Sequence, residues 1–245
     1  MNTLINTELK KLKKSGFIYF IIAFNIISIF IGSAIFSANK AVFVGDGDQS
    51  IVLWGQSSLY SSQLFFPILV GILCAVSWQI EEKNKNWQKL LTSPLTPLQI
   101  VSSKFITIII FTLINQLLFY VMFIFSSMIL NIPKINFTLF ILWSILGWVG
   151  SFSIVAVQLF LSIRIRSFAS PILISAGGAL LGLISLFLGE FISFVFPYSQ
   201  LQIGMRARAL QNFNVTELLI FILISIIYSI IFILLATNSL DRREN

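Results

Sequence analysis

Six predominantly apolar stretches, at about 17–36, 59–78, 105–130, 139–163, 171–188 and 218–236, constrain this chain more than any other feature. At 1.5 Å per helical residue each one crosses a hydrocarbon core of roughly 30 Å, the fifth only just. A backbone in lipid must satisfy its own N–H and C=O groups, which leaves helices or closed barrels. Barrel strands alternate polar and apolar residues, whereas these runs are apolar on all sides. The expectation is an all-α polytopic membrane protein with six transmembrane helices. Composition agrees. Of 245 residues, 57% are apolar and 10% charged, and the mean hydropathy is +0.95. Soluble domains carry about a quarter charged residues, so a soluble domain, a disordered tail and a disulfide scaffold are all excluded.

The same composition removes several chemistries. Histidine is absent, and with it His-based triads, His-ligated metal and imidazole proton relays. Cys74 has no partner within the chain and reads as a small packed or lipid-facing side chain. No G-x-x-x-x-G-K-[ST] motif occurs, and the G-x-G at 45–47 lacks the glycine and helix of a nucleotide fold. We expect no cofactor, no metal and no nucleotide-hydrolysing engine in these residues. An intramembrane enzyme would need paired acids, a Ser-His dyad or a metal cluster, and none is evident.

The net charge of +7 is unevenly distributed. Lys10, Lys11, Lys13, Lys14, Lys83, Lys85, Lys89, Lys104, Arg164, Arg166, Arg242 and Arg243 fall on one side of the six-span layout. Only Lys40, Lys134, Arg206 and Arg208 fall on the other. By the positive-inside rule both termini and the loop between spans two and three are expected to be cytoplasmic. That distribution points to a membrane surface and not to nucleic acid. The first run is longer than a signal-peptide core and has no good cleavage site, so we read it as retained. Before it, Ile5, Leu9 and Leu12 recur at helical spacing with lysines alongside. This predicts an amphipathic interfacial helix over 1–16, with its lysines toward anionic lipid. A plain positive-inside tail is the alternative.

The most informative polar stretch is the cytoplasmic loop 79–104. It holds a short helical piece with Trp87, Leu90 and Leu91 on one face and Lys85, Gln88 and Lys89 largely on the other. Ser93 precedes Pro94 and must leave the helical region. Thr96 and Pro97 then read as N-cap and first helical position of the third span. A helix of one or two turns is unstable alone in water. It needs a surface, either lipid headgroups or another protein.

These residues resemble type-2 ABC exporter permeases. The shared pattern is Glu81-Glu82, then Leu90-Leu91-Thr92-Ser93-Pro94-Leu95-Thr96 and Lys104 ahead of the next span. The layout, and Pro197-Tyr198-Ser199 after span five, look most like the permeases of lantibiotic self-immunity transporters. The resemblance implies one permease domain over 1–245, with the amino-terminal segment as an elbow helix. It implies partners too: a separate ATP-binding subunit that hydrolyses ATP, a second permease subunit, membrane lipid and a peptide substrate. It would make 84–92 a coupling helix in a groove of the ATPase, anchored by Trp87, Leu90 and Leu91, with Thr92 and Pro94 closing it and Glu81 and Glu82 at its membrane end. Trp87 stands where many such permeases carry Gly or Thr. The Ile, Asn, Lys and Phe richness suits a low-GC Gram-positive organism, whose cytoplasmic membrane would be the location.

On the outward side, Gly189-Glu190 ends the fifth run before a further apolar stretch, 191–196, that is too short to span. The segment 189–216 is expected to be extracellular or re-entrant, with Glu190, Pro197 and Tyr198 as outer-rim candidates for substrate contact or gating. A hydrated interface loop is the alternative. A carboxylate at mid-bilayer costs about 2.5–3.5 kcal/mol, which places Glu190 at the interface or in a wet cavity. Arg206 and Arg208 could pair with Glu190 or with phosphate headgroups. Asn25, Gln63, Asn115, Gln116 and Gln158 are expected to hydrogen-bond between helices. Gly178 with Gly182, and Gly147 with Ser151, are expected to pack. The leading function is expulsion of a lantibiotic or similar membrane-active peptide. The alternatives are export of another hydrophobic or lipid-like substrate, and an immunity protein that binds peptide without pumping it.

Overall fold

The structure is a computed structural model that describes residues 1–43, 48–83, 95–165 and 167–242, leaving aside the side chains of Ala41, Leu186 and Glu190. Every regular element among the described residues is helical. Helix α1 (Asn2–Lys14) precedes α2 (Phe17–Ala38) and the single turn α3 (Lys40–Phe43). Then come α4 (Gln49–Tyr60), a π-helical turn (Ser61–Phe65) and α5 (Phe66–Glu82), which form one rod. Next are α6 (Pro97–Ile129), α7 (Phe137–Arg164) and α8 (Ala169–Leu188). The short α9 (Glu190–Val195) and α10 (Gln200–Gly204) lead to α11 (Val215–Asp241).

Five of these bodies are long and apolar enough to cross a membrane: α2, the rod Gln49–Glu82, α6, α7 and α11. The 20-residue α8 is the sixth apolar helix and the shortest. The second span therefore starts ten residues before the expected 59. Its first turns are rich in Ser and Gln, so hydropathy hides them. Asp48 starts this helix by accepting the Ser50 backbone N–H. The π turn sits where Pro67 lacks a backbone N–H, and the Phe66 N–H reaches back to the Ser61 carbonyl.

The other boundaries have local causes. Thr96 caps α6 through a capping box with Gln99, and Pro97 occupies the first turn, as the sequence predicts. Asn214 and Glu217 form the same box on α11. Gly16 lies between α1 and α2 at φ +72°, a left-handed turn that glycine adopts without steric cost. The piece predicted over 84–92, with Trp87, Leu90, Leu91, Thr92 and Pro94, lies outside the described residues, as do Arg166 and Arg243.

Packing between spans relies on small and amide residues, since lipid gives no hydrophobic drive for helix association. Asn25 of α2 donates to Asn115 of α6 at 2.8 Å. Gln63 donates to the Ala179 carbonyl at 2.9 Å. Gly182 faces the Gln63 amide, Gly71 faces Ser175, and Ser175 donates to the Pro67 carbonyl. Cys74 is buried beside Val155. At the end away from α1, Trp54 is enclosed by Phe119, Phe123, Phe140 and Trp143, with ring centroids 4.9–6.0 Å away.

Gly150 tests this packing. A Cβ there would collide with the Gln200 backbone carbonyl, whereas one at Gly177 meets open space. Gly150→Leu should lower stability by about 1–3 kcal/mol through overpacking, read as a fall in Tm of the detergent-purified chain. Gly177→Ala should leave Tm unchanged or slightly raised.

Candidate functional site

Two places concentrate polar chemistry, one at each end of the bundle. At the α1 end, α1, α5 and α6 meet around Lys104, which is 1% exposed. Its ammonium donates to Glu8 Oε2 at 2.7 Å, Glu81 Oε1 at 2.9 Å and the Ser77 carbonyl at 3.1 Å. Lys11 completes the group, reaching Glu8 Oε1 at 2.8 Å and Glu81 Oε1 at 2.7 Å. Two ammoniums and two carboxylates balance, which is the condition for burying them. Burial pulls the Lys11 pKa down, but its hydrogen bonds to Glu8 and Glu81 and their charges outweigh this and hold it above the usual lysine value. With a raised folded pKa, this stabilisation is complete below the ordinary lysine range and is lost only as pH rises through the folded value.

Lys11 and Lys104 are thus corrected. The expectation had Lys11 facing lipid and Lys104 among the loop cations, and both are instead consumed within the protein. The Ile5, Leu9 and Leu12 stripe does turn inward, and Lys10, Lys13 and Lys14 remain exposed. Glu8 went unnoticed in the sequence. It is the one acid of α1 and stands one turn from both Ile5 and Leu12 on the apolar stripe. A carboxylate in that position requires a buried cation, and this is the signal that would have found it. Glu81 and Glu82 diverge. Glu81 turns into the cluster, while Glu82 accepts the Trp78 indole N–H at 3.0 Å and lines a cavity of about 170 Å³ with Ser162 and Phe168.

At the opposite end the chain leaves α8 through Gly189 at φ +123° and doubles back. Residues 197–205 run along α7 inside the bundle. Gln158 donates to the Tyr198 hydroxyl at 2.6 Å, and Ser153 donates to the Pro197 carbonyl at 3.2 Å. Gly178 lies under the Tyr198 ring. Trp54 donates to the Met205 carbonyl at 2.8 Å, and Gly147 admits the Met205 side chain. Tyr198, expected on the outer rim, is therefore turned into the core at 6% exposure. Gly178 of α8 leaves no side chain in the way of its ring. Pro197 is half-buried, and the side chain of Glu190 lies outside the description.

Arg206 holds the turn at this end together. Its backbone is left-handed at φ +51°, which costs a non-glycine residue roughly 1–2 kcal/mol. Its guanidinium stacks 4.2 Å from the Phe213 ring, donates through Nε to the Gln211 carbonyl and lies 3.8 Å from Glu217. Arg206 thus has Glu217 as its described ion-pair partner.

Residues 4–182 match the family described as ABC-2 family transporter protein. The chain belongs to this family. The match runs from α1 into α8, so it includes all four residues of the charge cluster and stops before the turn that holds Arg206. As an ABC-2 family chain the protein is a multi-pass membrane transport subunit. No curated protein matches the sequence.

Removing the central cation tests the cluster. Lys104→Met leaves Glu8 and Glu81 with one ammonium between them and should cost about 3–5 kcal/mol. The half-exposed Lys11→Ala should cost clearly less. In a double-mutant cycle, adding Glu8→Gln to Lys104→Met should restore part of the loss, read as Tm and as protection of α1 from protease.

Proposed function

We propose that this ABC-2 subunit is the permease of an exporter that expels a lantibiotic or similar membrane-active cationic peptide and so protects the cell. Family membership is the observation that carries the exporter reading. The lantibiotic part rests on the layout and on Pro197-Tyr198-Ser199. A separate ATP-binding subunit supplies the energy, because these 245 residues contain no phosphate-binding Walker sequence. A second six-span subunit, identical or homologous, completes the membrane part. Both termini and the loop 79–104 face the cytoplasm, in keeping with the bias of basic residues.

In this reading residues 84–92 dock on the ATPase, and Trp87, Leu90 and Leu91 are the buried anchors, since a few large apolar side chains carry most interface energy. Thr92 and Pro94 end the docking piece, and Glu82 stays beside the loop at the end of α5. Closure of the ATPase pair moves this loop and, through α5 and α6, the spans. At the outer end the segment 189–216 guards the exit. Pro197 and Tyr198 act there as gating residues by leaving or keeping their sites on α7, and Glu190 marks the interface.

Leu90→Asp and Trp87→Ala should each weaken co-purification of the ATPase and peptide resistance by roughly tenfold or more, with the chain still present in the membrane. A photo-cross-linker at position 87 should capture the ATPase. Capture of phospholipid alone, with resistance intact in both variants, sinks the reading.

A further inference from the structure

Two cavities open beside each other at the end away from α1, and they differ in character. The larger, about 460 Å³, has Arg206, Arg208 and Glu217 in its wall, with Gln202, Phe187 and Phe194. The smaller, about 360 Å³, is lined mainly by apolar groups, among them Val52, Leu59, Leu183 and Leu210. Phe187 and Arg208 belong to both, so one charged and one aromatic side chain form the shared wall. Phe187 and Phe191 are 85% and 81% exposed, which puts the mouth among side chains that seek lipid.

We propose that this paired cavity binds one phosphate-headed lipid, its headgroup in the larger compartment and part of an acyl chain in the smaller. The inference concerns a resident lipid and stands whatever the cargo is. Guanidinium groups match phosphate oxygens in a two-pronged geometry that a single point charge does not give. Arg206 is prepared for this role. Its Nε is committed to the Gln211 carbonyl, its contact with Glu217 is long at 3.8 Å, and its terminal amino groups make no hydrogen bond among the described residues. Stacking on Phe213 holds the guanidinium plane in place. Gln202 is a second, independent sign. It is 3% exposed, and its Oε1 has no hydrogen-bond partner among the described residues. A buried amide with an unmet end awaits a partner, and a headgroup hydroxyl supplies the donor. The apolar compartment disfavours a free ion, for which it offers nothing.

The test uses the purified full chain, stripped of lipid in detergent, with phosphatidylglycerol as the probe. Native mass spectrometry counts adducts, and thermal unfolding reads the stabilisation. Wild type should hold one phosphatidylglycerol per chain, and Arg208→Gln should weaken it by about tenfold, the worth of one charge-assisted hydrogen bond. Gln202→Leu, which keeps all charges, should weaken it by a smaller factor. Arg242→Gln, exposed at the end of α11 far from Glu217, should not change it. Diacylglycerol with the same chains and inorganic phosphate should each fail to reproduce the thermal shift. Equal binding by Arg208→Gln, or an equal shift from diacylglycerol or from inorganic phosphate alone, overturns the proposal.

Discussion

A single buried ammonium ties α1 and the two ends of the loop between α5 and α6 into one unit. Taking an ion out of water costs several kcal/mol even after relaxation. Lys104 meets that cost by giving each of its three donors an acceptor: one from α1, one from the end of α5 and one backbone carbonyl of α5. The loop that joins α5 to α6 therefore leaves from and returns to helices bound to the same charge. Moving Glu81 relative to Lys104 strips partners from buried ions, so the two ends of the loop and α1 are energetically one unit. This accounts for an acid of α1 that faces the bundle, a placement that lipid binding alone does not require.

The opposite end is built on another principle. No comparable ion cluster holds residues 197–205 among the described residues. They are seated by the absence of side chains on α7 and α8. Where a Cβ would stand, Gly147 has the Met205 side chain, Gly150 the Gln200 main chain and Gly178 the Tyr198 ring. Indole and amide donors then fix the segment: Trp54 to the Met205 carbonyl and Gln158 to Tyr198. Contacts of this kind are individually weak in a membrane, on the order of 0.6–2 kcal/mol. The inserted segment thus has many small attachments, whereas α1 has a few strong ones.

The six apolar runs and the cap at Thr96–Pro97 were legible because lipid and proline impose rules that act on single residues and their neighbours. The early start of the second span was not, since Ser50, Ser57, Ser58, Ser61 and Ser62 are all buried between helices and look like a loop to any hydropathy reading. The charge cluster was half legible. Glu81 and Lys104 drew attention through a family pattern, but the pairing of Lys104 with Glu8 joins residues 96 positions apart, which no local spacing encodes. Tyr198 was misplaced for a related reason. An aromatic next to Pro197 looks like a rim residue until Gly178 across from it is known to leave it a slot.

The length of α8 explains why the turn after it exists in this form. Twenty residues at 1.5 Å give about 30 Å, just the hydrocarbon thickness, while the neighbouring α7 is 28 residues long. The chain that leaves α8 at Gly189 is therefore still level with the flank of α7, and α7 offers it a groove of glycines. Irregular backbone at membrane depth is tolerated only where protein covers it, and residues 197–205 are covered in this way. What the groove does not cover is the return from Arg208 to Asn214. Just before it, Arg206 keeps a strained backbone beside an open cavity, so the strain and the unused donors occur at the same residue. Strain of this kind persists where the surroundings over-determine it, and the Gln211 carbonyl, the Phe213 ring and Glu217 supply that determination. The short helix thus places the strained Arg206 turn beside the open cavity at this end of the bundle.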